Sequence, residues 1–189
     1  MIEKLTKSLM AWCEKRGRVF EITGTGGPDD VYLIRYYVVR SKWFNFFIHQ
    51  FLRSDKDDLH DHPWHFITYI VSGSYTEKKW NDKTQQIDSV RRKNYPMIFG
   101  LSRPNVENRL IYRKATDQHQ VVVDNDLKRE QKDQASLTLC FTGPTIREWG
   151  FWRTSGGVYS NGEEVKAPNR FFVPWRKYLG LPSDAKGRG

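Results

Sequence analysis

Cysteine occurs only twice in the 189 residues, at Cys13 and Cys140. Two thiols cannot build a disulfide framework or a four-thiolate zinc site, so a reducing compartment fits and the cytoplasm is the expected location. Long apolar runs are missing too, since none approaches the roughly 18 to 20 residues that span a bilayer. The opening MIEKLTKSLMAWCEKRG carries charge through any would-be signal core, which predicts a soluble chain that is not exported. Internal repeats and low-complexity stretches are absent. What remains is an apolar and aromatic chain, 38% hydrophobic and 14% aromatic, which excludes a disordered tail, a collagen-like chain and a coiled coil. The length suits one domain with an ordinary core. Charge is unbalanced, with Lys+Arg 31 against Asp+Glu 22 and a formal net charge of +9.

The first segment spaces Ile2, Leu5, Leu9, Trp12 and Cys13 at helical intervals, with Gly17 as C-cap, and predicts a short amphipathic helix over residues 1–17 packed on the rest of the domain. From Arg18 the period changes. RVFEIT, VYLIRYYVV, WFNFFIHQFL, WHFITYIV, RLIYR, HQVVV and SLTLCFTG are short β-branched and aromatic runs separated by turn residues. Little helix lies between them, and parallel sheets need helical crossovers, so the prediction is a mainly β, antiparallel jelly-roll sandwich over residues 18–181. The charged DNDLKREQKDQ reads as a solvated connection, residues 182–189 as a loose tail, and the GTGGP turn as a flexible hairpin without P-loop chemistry.

His49, His60, His62 and His65 fall within 17 residues, and His119 opens a later run. On a strand, His60 and His62 project from one face and can share an ion, with His119 arriving from a facing strand. Three imidazoles from two places in sequence can form a facial ligand set with positions left open. His49 and His65 also read as ordinary strand histidines.

The stretches HDHPWHFITYIVSGSYTE, RKATDQHQVVV and FTGPTIREWGF resemble the cupin superfamily, and within it small cupin-like proteins of bacteria and phages. His60 and His62 match the paired histidines of the first motif, Gly73 its closing glycine, and His119 the later histidine. The usual acidic ligand falls at Phe66 or Ile67, which cannot coordinate, and the usual leading glycine is Ser54. The resemblance implies a metal on His60, His62 and His119 with Glu77 as fourth ligand, and His65 and His49 as competitors for that place. An imidazole-rich set favours Fe(II), Mn(II), Ni(II), Cu(II) or Zn(II) over Mg or Ca. The resemblance also implies a homodimer.

Arg113 is a candidate for binding a carboxylate or phosphate, Tyr75 for donating a proton as a tyrosine does in the sugar epimerases of that superfamily, and Asp61 for a supporting role. The arginines and aromatics of FTGPTIREWGFW and VPWRKY either stack on a planar ligand or close the open end of the sandwich. The leading functional expectation is a metal-dependent, oxygenase-like enzyme acting on a small anionic or planar molecule. The +9 charge raises a nucleotide- or nucleic-acid-associated protein as the alternative, although its only clusters are Arg91 to Lys93 and the terminal KGRG. A structural component, for instance of a phage particle, is the third reading.

Overall fold

The computed structural model describes residues 1–23, 30–55, 58–93, 106–107, 110–155, 169–178 and 180. The glycine turn at 24–28, the tail at 182–189 and the terminal basic cluster lie outside the described residues. Helix α1 (Ile2–Lys15) is followed by strands β1 (Val19–Thr23), β2 (Val31–Arg40), β3 (Asn45–Phe51), β4 (Leu59–His60), β5 (Phe66–Ser72), β6 (Ser74–Asn81) and β7 (Gln86–Lys93). Then come β8 (Val106–Glu107), β9 (Leu110–Arg113), β10 (His119–Val123), a 3-10 helix (Arg129–Gln134), β11 (Ser136–Thr142), β12 (Gly150–Ser155), β13 (Asn169–Pro174) and the single turn α2 (Trp175–Tyr178).

The strands form two sheets, ordered β1-β2-β3-β11-β5-β9 and β13-β12-β4-β10-β6-β7-β8. Every pairing is antiparallel except β7 with β8. Their centres, β3-β11-β5-β9 and β4-β10-β6-β7, are the two facing Greek keys of a jelly roll, as the run pattern predicts. All seven apolar runs are strands. The polar SYTEKKWN and QIDSVRRK are strands as well, because their inward faces carry buried Tyr75, Glu77 and Arg92 rather than aliphatic residues.

Two layers of core hold this together. Between the sheets lie Leu33, Phe51, Ile70, Tyr75, Ile111 and Val121. Outside the first sheet, Met10 and Cys13 of α1 pack on Ile34, Tyr36, Ile48, Val71 and Leu137. This second layer explains why β3 is buried on both faces: Phe47, His49 and Phe51 face inward while Ile48 and Gln50 face the helix layer. The helix ends as expected, with Gly17 at φ 63° and the Arg18 amide donating to Cys13 O at 2.9 Å.

Between β5 and β6 the chain passes from one sheet to the other through Gly73, at φ 76°. A Cβ there would stand 2.8 Å from Ser136 Cα, so only glycine fits. Ser136 Oγ locks the crossing by accepting from the Ser74 amide at 2.9 Å and donating to Ser74 O at 2.7 Å. No helix among the described residues is long and apolar enough to cross a membrane.

Candidate metal centre

Strand β4 ends at His60, and β10 begins at His119, directly opposite it in register. His62 lies beyond the strand end, fixed by its amide donating to Ala115 O at 3.1 Å. The three ring centroids are 5.0–5.1 Å apart. One nitrogen from each ring lies within 4.8 Å of the others, close enough that one ion could be held by all three after small side-chain rotations. His62 Nε2 and His119 Nε2 are 2.7 Å apart, so one ring donates and the other accepts, and the accepting ring is neutral.

Carboxylates stand behind two of the rings. His119 Nδ1 is 2.9 Å from Glu77 Oε1, and His60 Nδ1 is 3.1 Å from Asp55 Oδ2. The hydrogen bond to Glu77 fixes the His119 ring so that its other nitrogen faces inward, the arrangement metal-binding histidines use, whereas the His60–Asp55 contact has ion-pair distance without hydrogen-bond geometry. Glu77 is itself pinned. Arg113 Nε donates to Oε1 at 2.9 Å, Arg92 Nε donates to Oε2 at 2.8 Å, and Arg113 Nη2 also bonds Oε2.

The electrostatics favour neutral imidazoles and an ionised carboxylate. Burial, reinforced by the charges of His119 and His60, holds His62 well below the ordinary histidine range. Burial also lowers His119, against the opposing pull of Glu77. For Glu77 burial alone would raise the pKa, but the hydrogen bond and charge of His119 and the adjoining Arg113 outweigh it and hold the carboxyl far below its usual range.

The other residues singled out in sequence occupy distinct places around the trio. Phe66, standing at the position of the missing acidic ligand, packs edge-on against His62 with centroids 4.6 Å apart. His65 is exposed, and its Nδ1 accepts from the Ala115 amide at 3.0 Å outside the trio. His49 is buried in the cavity wall and accepts from Arg35 Nε at 3.0 Å. Arg113 is committed to Glu77. Tyr75 lines the cavity, where burial and the nearby Glu77 raise its hydroxyl above the ordinary tyrosine value and keep it protonated.

Asp61 faces away from the trio and is fully buried, accepting from the Gly150 amide at 2.9 Å, Trp152 Nε1 at 3.0 Å and Arg147 Nη1 at 2.6 Å. It anchors β12 against β4. The aromatics of the last strands pack on one another: Trp149 stacks on Trp175 and Phe151 on Tyr178, with Phe151 5.7 Å from the His60 ring. They close the barrel at His60, the second of the two roles open in sequence. Asp55, Arg92 and Arg35 were missed by sequence reasoning, and only Asp55, five residues before His60, carried any local signal.

The trio opens on an interior cavity of about 80 Å³ whose walls include Phe47, Trp64, Phe66, Tyr75 and Thr138. The two facing Greek keys thus bring imidazoles from β4, the turn after it and β10 to one interior cluster. No protein-family model and no curated protein matches the chain. Among solved structures it is similar to a cupin-2 domain protein of Rhodospirillum rubrum, at 11% identity over 70% of this chain and 73% of that one, with a TM-score of 0.45. It is similar to FeII HppE at 11% identity and a TM-score of 0.43, covering 66% of this chain but only 55% of HppE. The DMSP lyase DddQ of Ruegeria pomeroyi matches at 13% identity and a TM-score of 0.43, over 69% of this chain and 58% of that one.

Proposed function

We propose that the chain binds one divalent transition metal through His60, His62 and His119 and serves as a metal-dependent, oxygenase-like enzyme for a small planar or anionic molecule. The observation that carries this reading is the convergence of three imidazole nitrogens within 4.8 Å, two of them on rings backed by carboxylates. Neutral imidazoles suit Fe(II), Mn(II), Ni(II), Cu(II) or Zn(II). When bound, such an ion supplies a Lewis-acid or redox centre with positions open to small ligands.

In this reading Glu77 orients His119 and is not a fourth ligand, because both its oxygens already accept from arginines. Tyr75 is a proton donor to whatever occupies the cavity. Its hydroxyl makes no hydrogen bond among the described residues, and its raised pKa keeps it protonated near neutrality, able to donate and unable to act as a base. A cytoplasmic location fits two buried free thiols.

A homodimer is supported by an exposed apolar row on the first sheet, where Phe141, Ile67 and Tyr112 stand side by side across β11, β5 and β9 with the half-buried Phe46 of β3 beside them. For nucleic acid the opposite holds. Of the Arg91 to Lys93 cluster, Arg92 is buried on Glu77 and Arg91 pairs with Asp124.

Cobalt(II) titration of metal-free chain tests the metal reading spectroscopically. Visible d–d bands saturating at one equivalent are expected in the wild type and absent from His62→Ala. Bands unaffected by that substitution would place the ion elsewhere.

A further inference from the structure

The cavity holds one charged group that the metal reading leaves unused. Arg35 on β2 lies opposite His49 of β3 in register, and its Nε donates to His49 Nε2 at 3.0 Å. Its guanidinium carbon stands 5.0 Å from the centre of the Phe47 ring, and the side chain lines the same cavity as the three histidines. Among the described residues its two Nη groups make no hydrogen bond, and no carboxylate pairs with it. Arg92 and Arg113, the other interior guanidiniums, are both engaged by Glu77.

Charge balance points the same way. Three guanidiniums, Arg35, Arg92 and Arg113, accompany two carboxylates, Glu77 and Asp55, so the interior has one positive charge in excess before any metal is counted. A divalent ion on neutral imidazoles adds two more. A half-buried cation without a charged partner in the cavity wall is costly, and a bound anion relieves that cost.

We propose that Arg35 anchors a small carboxylic acid, its two Nη groups gripping the carboxylate while the rest of the molecule extends toward His60, His62 and His119. The flat fork of two Nη groups matches a planar anion with two oxygens, and the face of Phe47 lies alongside it. The cavity of about 80 Å³ accommodates roughly five to eight water-sized groups at about 10–15 Å³ each, the size of a short-chain acid. His49 is a positioning residue. By accepting from Arg35 Nε it stays neutral and aims the fork.

This deepens the metal reading and rests on it for the far end of the ligand, whereas the carboxylate contact itself needs no metal. The test is calorimetric titration of lactate and malonate, with lactamide and malonamide as uncharged counterparts, into metal-free and metal-loaded chain. The wild type, Arg35→Gln and Arg35→Lys are compared, and metal content is measured separately.

At least one acid is expected to bind the wild type, with its amide tenfold or more weaker. Arg35→Gln should weaken that acid tenfold or more at unchanged metal content, and Arg35→Lys should fall between, keeping the charge and losing the fork. Binding of neither acid, equal binding of acid and amide, or wild-type affinity in Arg35→Gln overturns the proposal. A preference for inorganic phosphate over both acids overturns the carboxylate assignment. The acid–amide contrast in the wild type requires no variant to fold. A failed metal reading shows instead as a wild-type chain without metal, and the contrast in metal-free chain still decides the role of Arg35.

Discussion

Glu77 accepts from Arg92, Arg113 and His119 at once, which ties the charge balance of the barrel interior to the orientation of one imidazole. Glu77→Gln keeps the shape and removes the charge. It should retain a stoichiometry of one metal per chain while weakening affinity about 10- to 100-fold in chelator competition, the usual effect of losing an outer carboxylate. Loss of the metal altogether would make Glu77 a ligand after all. His49 sets a pH dependence at the same scale. Burial first, and then the Arg35 charge, hold its pKa well below the ordinary 6.5. The unfolded chain therefore takes up this proton as pH falls through about 6.5 while the folded chain does not, so its contribution to stability is complete above that pH and is lost on acidification. Metal-free chain should lose stability below pH ~6.5 with a slope of up to about 1.4 kcal/mol per pH unit from this histidine. Denaturation midpoints across pH 5 to 8 should flatten in His49→Gln, and an unchanged slope would contradict the assignment.

Among the elements, legibility in sequence followed the chemistry of the inward face. Strands β3, β5, β10 and β11 bury aromatic and branched side chains and announce themselves by period and composition. Strands β6 and β7 do not, because Glu77 and Arg92 take inward positions that aliphatic residues fill elsewhere. The functional interior thus erased the hydrophobic signal of the strands that carry it. His60, His62 and His119 were readable from spacing, since the HxH pair is local and one later histidine completes it. Asp55, Arg35 and the Arg92–Glu77–Arg113 cluster depend on register across strands, which spacing does not encode. Asp61 shows the same limit, since its partners lie near 150 in the chain. Asp61→Ala removes three hydrogen bonds and strands the buried Gly150 N–H. A loss of about 2–4 kcal/mol is expected in chemical denaturation. A change under about 0.5 kcal/mol would mean that β12 does not need this anchor.

At the scale of the whole molecule, the +9 charge and the exposed apolar row make separate statements. Of that charge, the Arg91–Arg92 pair is already engaged by Asp124 and Glu77. The row formed by Phe141, Ile67 and Tyr112, each at least 38% exposed, is the face a second copy would cover. Light scattering of the wild type should give twice the 22.4 kDa chain mass, and Ile67→Asp should shift it to one chain. A wild-type monomer at tens of micromolar would remove the dimer from the account. The central claim is the ion on the histidine trio, and its most direct measurement is elemental analysis of chain expressed in metal-supplemented medium and purified without chelator. The account predicts close to one transition-metal ion per wild-type chain and almost none in His60→Ala/His119→Ala. A wild-type chain without metal, or a double variant that keeps a full equivalent, would contradict it.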